Sequence, residues 1–97
     1  MISTHILDTE TGAPAAGIKV GLYRDKELIS LQETDEDGRI SELAEVDLDP
    51  GEYRLVFYVG GPFFERVDLT IAIVDPGGHY HVPLLVSSYG CTTYRGS

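Results

Sequence analysis

Two histidines two residues apart sit in the run His79-Tyr80-His81-Val82-Pro83-Leu84-Leu85-Val86. Side chains of a strand alternate between its faces, so Tyr80, Val82, Leu84 and Val86 form an apolar, core-facing side and His79, His81, Pro83 and Leu85 the other. Imidazole titrates near neutral pH and accepts a proton from water, which makes a histidine on such a face a candidate general base. His5 is placed in the same way: in Ile2 to Leu7, Ile2, Thr4 and Ile6 face one side and Ser3, His5 and Leu7 the other. All three histidines are therefore expected outside the core. The cation that could work with them is Arg39, whose guanidinium is permanently charged and grips planar N–C=O edges at two points. A base that raises a water nucleophile, with a fixed cation for the charge developing on a carbonyl oxygen, is what hydrolysis of a polar, electron-poor ring requires. Each group also has a plainer reading: an isolated histidine is commonly structural or merely exposed, and Arg39 can simply balance nearby acids. No metal is expected, because a third ligand would have to be His5 or an unplaced carboxylate and a single cysteine makes no zinc pattern.

The elements that position these residues are short. Apolar runs alternate with turn signals, and no 3.6-residue apolar period persists long enough for a helix. Ile2 to Leu7 reads as a strand ended by Thr9-Glu10-Thr11-Gly12-Ala13-Pro14. Ile18 to Tyr23, with Ile18, Val20 and Leu22 on one face, leads through Arg24-Asp25-Lys26 into Leu28 to Gln32, a predicted hairpin. Asp35-Glu36-Asp37-Gly38-Arg39 is a turn in which Gly38 is free to take positive φ. Asp49-Pro50-Gly51 starts a strand from Tyr53 to Val59, Gly60 to Arg66 leads to Val67 to Val74, and Asp75-Pro76-Gly77-Gly78 leads to His79 to Val86. Pro83 lacks an N–H, which predicts an edge position or an irregularity near the histidines. Ser87-Ser88-Tyr89-Gly90 turns the chain into a last segment, Cys91 to Arg95. Strands at this spacing predict a β-sandwich without a parallel sheet. Leu85 on the histidine face suggests a surface covered by something else, such as another subunit.

Composition narrows the partners. A chain of 97 residues has the size of one domain, 1–97, with a thin stability margin unless it associates. Seven Lys+Arg against 16 Asp+Glu give a net charge of -9, which repels phosphate backbones and anionic lipids, so neither nucleic acid nor a membrane is an expected partner. The acid is concentrated between Asp25 and Glu52, where eleven acids accompany only Lys26 and Arg39, and this predicts a solvated, loop-rich face. One cysteine, Cys91, and no leader-like or long apolar segment point to a cytoplasmic protein.

Taken together, these residues resemble the 5-hydroxyisourate hydrolases, the transthyretin-related enzymes of urate breakdown. The likeness runs nearly end to end: Ser3-Thr4-His5-Ile6-Leu7-Asp8-Thr9, Gly12-Ala13-Pro14-Ala15, Gly17-Ile18-Lys19-Val20, Asp37-Gly38-Arg39, His79-Tyr80-His81-Val82-Pro83-Leu84-Leu85 and Tyr94-Arg95-Gly96-Ser97. The resemblance implies an all-β, prealbumin-like (transthyretin-like) Greek-key sandwich of seven to eight short strands, assembled as a homotetramer, a dimer of dimers with active sites in the channel between them. It implies hydrolysis of 5-hydroxyisourate at its N1–C6 bond to 2-oxo-4-hydroxy-4-carboxy-5-ureidoimidazoline with no cofactor. Carried over by position, His5, Arg39 and His81 are the catalytic trio, with Ser97 assisting a histidine in activating water. Arg39 and Tyr94 then hold the ring, and His5, Arg95 and Gly96 complete the substrate-binding set. Which of His5 and His81 is the base stays open.

The sequence departs from the family pattern in two places. Gly60 to Arg66 is too short for the helix usual between the strands it joins, so that helix is expected to be reduced or missing. Ser88 and Cys91 stand where Pro and Tyr are more typical. Two other readings compete. A non-enzymatic ligand carrier of the same fold would lack the histidines and the terminal Tyr94-Arg95-Gly96-Ser97. A structural sandwich module, resembling carboxypeptidase-regulatory-like repeats through Asp37-Gly38-Arg39 and Leu48-Asp49-Pro50-Gly51-Glu52-Tyr53, would be expected inside a longer secreted chain.

Overall fold

A computed structural model describes residues 1–44 and 47–97. Glu45, one of the acids of the 25–52 run, lies outside the described residues. Ten strands follow in order: β1 (Ile2–Asp8), β2 (Ala13–Pro14), β3 (Lys19–Arg24), β4 (Glu27–Glu33), β5 (Arg39–Ile40), β6 (Gly51–Tyr58), β7 (Val67–Ile73), β8 (Tyr80–His81), β9 (Leu84–Val86) and β10 (Cys91–Thr93). They form two sheets. One runs β10-β9-β1-β2, with β5 and β8 also paired to β1, and the other runs β4-β3-β6-β7.

The second sheet is a run of antiparallel neighbours: two locally connected pairs, β3–β4 and β6–β7, joined by the longer-range β3–β6 pairing. The β3–β4 hairpin forms as the sequence predicts, with Asp25 in the turn at φ 53° and a register shift between Leu22 and Tyr23. β6 and β7 pair from Gly51 opposite Ile73 to Phe57 opposite Val67, and the Gly60 to Arg66 connection between them contains no helix. Among the described residues there is no helix at all.

Alternation along the strands builds the core between the sheets. Ile2 and Ile6 from β1, Val20 and Leu22 from β3, Leu55 and Phe57 from β6 and Leu84 from β9 are fully buried, with Leu43 closing one end. Removing such side chains from water stabilises the fold by roughly 1.5–3 kcal/mol each. Thr4, also on the inward side of β1, is buried with its hydroxyl donating to the Val82 carbonyl at 2.6 Å.

Three expectations need correction. The sandwich does contain parallel pairing: β1 runs parallel to β8, with Ile2 opposite Tyr80 and Ser3 opposite His81, and to β9, with Ile6 opposite Leu84. Parallel neighbours need a long crossover, and here the chain supplies one by passing through the other sheet before returning beside its first strand. The strands number ten rather than seven or eight, because Pro83 divides the expected His79 to Val86 strand into β8 and β9, and two-residue pairings form at β2 and β5. Pro83 itself is buried instead of standing on an open face.

Candidate active site

The outer face of the first sheet, away from the core, gathers the chemistry. β1 carries Ser3 and His5 outward because Ile2, Thr4 and Ile6 point inward. Its neighbour on one side is β5, where His5 lies directly opposite Arg39. Opposed residues of an antiparallel pair hold their Cβ atoms about 4.5–5.5 Å apart, so the imidazole and the guanidinium share one face within mutual reach. On the other side is β8, where Ser3 lies opposite His81. The structure thus brings His5, Arg39 and His81, separated by up to 76 positions in the sequence, onto three adjacent strands.

Arg39 is delivered by a tightly specified turn. The Asp35 carboxylate accepts the N–H groups of Asp37 and Arg39, each at 2.9 Å, and Gly38 follows at φ 73°. A side chain at Gly38 would meet both an unfavourable backbone conformation and the Ile6 carbonyl oxygen, 2.6 Å from its Cβ position. That same close approach lets Ile6 N–H donate to the Gly38 carbonyl at 2.8 Å, which fixes β5 against β1. Among the described residues the side-chain ion pairs are Arg54–Asp68 and Arg66–Asp68. Arg39 is in neither, although the acidic run surrounds it, and its guanidinium faces the histidines rather than a carboxylate partner.

His81 is half-buried. Its Nδ1 lies 2.9 Å from the Ser3 hydroxyl oxygen, which is also 3.0 Å from Nε2 of His79. Burial pushes the His81 pKa below the ordinary imidazole value, and the positive charge of Arg39, with His79 and His5, pushes it the same way. At neutral pH this ring is therefore a neutral base. The C-terminal segment closes over it: Gly96 N–H donates to the His81 carbonyl at 2.7 Å, and a Cβ on Gly96 would collide with the His81 ring. Glycine is needed there for space, not for φ.

These residues line an open cavity of about 360 Å³, with Ser3, Arg39, Ser41, His79, His81 and Ser97 in its wall. His5 borders the group through Arg39 without lining this cavity. Tyr94 and Arg95 are placed elsewhere in the single chain: they line a second groove, about 440 Å³, with Leu69 to Ala72 of β7. Arg95 stacks 4.4 Å over the Tyr80 ring and donates to the His79 carbonyl at 3.3 Å, so it fastens the last segment to β8. Sequence reasoning placed Ser3 and His79 on the outward faces of their strands but gave them no part in a site; the signal was their spacing of two from His5 and His81.

The family model described as "HIUase/Transthyretin family" matches residues 2–96. A 5-hydroxyisourate hydrolase of Salmonella dublin is 41% identical over 110 aligned positions, covering 100% of this chain and 81% of that protein. The structure of Klebsiella pneumoniae 5-hydroxyisourate hydrolase superposes with a TM-score of 0.91 at 36% identity, covering 99% of this chain and 98% of the other. Sea bream transthyretin, solved in complex with thyroxine, gives a TM-score of 0.88 at 26% identity, over 98% and 93% of the two chains. By family model, full-length identity and shared fold, this chain belongs to the HIUase/Transthyretin family.

Proposed function

We propose that residues 1–97 act as a single domain that hydrolyses 5-hydroxyisourate at its N1–C6 bond, giving 2-oxo-4-hydroxy-4-carboxy-5-ureidoimidazoline in urate breakdown without a cofactor. The observation that carries this reading is the convergence on one outer sheet face of a half-buried His81, His5, and an Arg39 guanidinium that forms no ion pair among the described residues. His81 takes the proton of the attacking water. Its Nδ1 is engaged by Ser3, which leaves Nε2 for that task. Arg39 stabilises the charge that develops on the attacked carbonyl oxygen, His5 orients the ring beside it, and Ser97 positions the water from the cavity wall. Arg95 and Gly96 act by holding the terminal segment against β8. Tyr94 contacts the ring from the groove side once subunits meet.

The working unit in this reading is a homotetramer, a dimer of dimers, in a cytoplasmic setting. Its support is the open side of the cavity together with strands that end their sheets in one chain, among them β7 and the fully exposed β10. The free thiol of Cys91 fits a reducing compartment. A carrier of apolar ligands is less well served by this cavity, whose wall presents imidazole, guanidinium and hydroxyl groups. The test is an ultraviolet assay of freshly generated 5-hydroxyisourate: the protein should accelerate its decay at catalytic concentration, and a decay no faster than in buffer overturns the reading.

A further inference from the structure

The Ser3 hydroxyl stands between two imidazole nitrogens, 2.9 Å from His81 Nδ1 and 3.0 Å from His79 Nε2. A hydroxyl carries one hydrogen and so donates to at most one ring; where it bridges the two, it donates to one and accepts from the other. Only one of the two arrangements suits a base. If His81 Nδ1–H donates to Ser3, and Ser3 O–H donates to His79 Nε2, then His81 Nε2 keeps its lone pair for water. The reverse arrangement would put the His81 proton on Nε2 and leave that ring unable to accept one there.

We propose that Ser3 and His79 are positioning residues that select the base-competent tautomer of His81 and relay the proton it gains outward to solvent; the inference rests on the hydrolase reading above. As water yields its proton, an N–H bond forms at His81 Nε2. The His81 Nδ1–H bond breaks, its proton passing to Ser3 Oγ. The Ser3 O–H bond breaks in turn, its proton passing to His79 Nε2. His81 is then neutral with its hydrogen on Nε2, Ser3 again carries one hydrogen, and the positive charge resides on His79, whose exposed side chain exchanges protons with solvent. As the C6–N1 bond breaks, the Nε2 hydrogen passes to the leaving N1 and a proton returns through His79 and Ser3 to His81 Nδ1, which restores the starting tautomer.

Electrostatics favours this direction. An imidazolium at His81 would be half-buried and would face Arg39 from β5, His5 from β1 and His79 from the residue before β8, with Met1 and Ser97 in the same cavity wall. Among the described residues, no carboxylate side chain hydrogen-bonds either ring. His79 is fully at the surface, so water screens a charge there far better than at His81. Ser3, nearly buried on its strand, has little freedom to leave the bridging position.

The experiment combines nitrogen-15 NMR of the imidazoles in the substrate-free protein with steady-state hydrolysis of 5-hydroxyisourate over pH for Ser3→Ala, Ser3→Thr and His79→Ala. The wild-type spectrum should show His81 protonated on Nδ1, and Ser3→Ala should shift that population toward Nε2. Ser3→Ala and His79→Ala should lower kcat about tenfold, less than the full contribution of a positioned base, with KM within about twofold. Ser3→Thr, which keeps the hydroxyl, should restore kcat, and free imidazole in the buffer should restore it in His79→Ala. A His81 ring protonated on Nε2 in the wild type, or a wild-type kcat in Ser3→Ala, overturns the relay. Absence of hydrolysis by the wild type overturns the enzyme reading instead, while the NMR tautomer still decides whether Ser3 holds His81 as described.

Discussion

Arg39 is the residue on which the local electrostatics turns, because in the proposed mechanism it acts on both the substrate and the base. Replacing it with alanine removes a donor from the developing oxyanion, and kcat/KM should fall by about 10²–10³. The same substitution removes a positive charge beside His81. Positive charge disfavours the imidazolium, so the wild-type acid limb of kcat/KM should lie below the ordinary imidazole value, and in Arg39→Ala the residual activity should show that limb at higher pH. A limb that stays in place would mean that a different group titrates. Strand alternation put His5 and His81 outside the core in the sequence reading, and Arg39 stood out as a permanent cation in a turn; that β5 would set it opposite His5 was not written there. Nor was the Ser3 bridge, since alternation says which way Ser3 points but nothing about the strand that will lie beside it. Tyr94, whose motif suggested the site, lines the groove along β7 in one chain.

The turn and the terminal segment show what the elements must supply. Gly38→Ala has to bear a left-handed φ and a contact with the Ile6 carbonyl, a cost of at least about 1–2 kcal/mol. Chemical denaturation should record that loss, and activity should fall with it because Arg39 is the next residue. Gly96→Ala should behave differently. Its φ is ordinary, but the added methyl meets the His81 ring, so stability should change little while kcat drops. Equal kcat in Gly96→Ala and wild type would show that the ring can move aside at no cost. At this scale the turn residues of the sequence announced the β3–β4 hairpin, and the shortness of Gly60 to Arg66 announced a connection whose helix is reduced or missing. The sequence did not announce the parallel pairing of β1 with β8 and β9, because that depends on where a distant segment returns, and no local pattern encodes it. Pro83 was legible as an irregularity, and the structure shows its form: a break between β8 and β9 that leaves the histidine strand only two residues long.

For the whole molecule, the net charge of -9 and the modest core bear on assembly. If the catalytic cavity is completed between subunits, activity per chain should fall on dilution in step with the loss of the tetramer by sedimentation velocity. Full activity in a demonstrated monomer would show that one chain suffices. Higher ionic strength should favour the assembled form by screening repulsion between acidic subunits. The acids lie mainly between residues 25 and 52, while β9 and β10 carry none, which leaves that edge free for contact.

The parallel pairing has a kinetic consequence as well. Ser3 and His81 are 78 positions apart, whereas the β3–β4 and β6–β7 pairs join segments separated by short turns. Ordering a long loop before its contacts are made is entropically costly, and chains dominated by such contacts fold slowly. The four-stranded sheet can therefore condense while β1 still lacks its partners, and the face that carries His5, Arg39 and His81 becomes the part of the molecule completed last. On refolding, recovery of catalysis should trail the return of β-sheet circular dichroism, which makes turnover a clock for the closing step of folding.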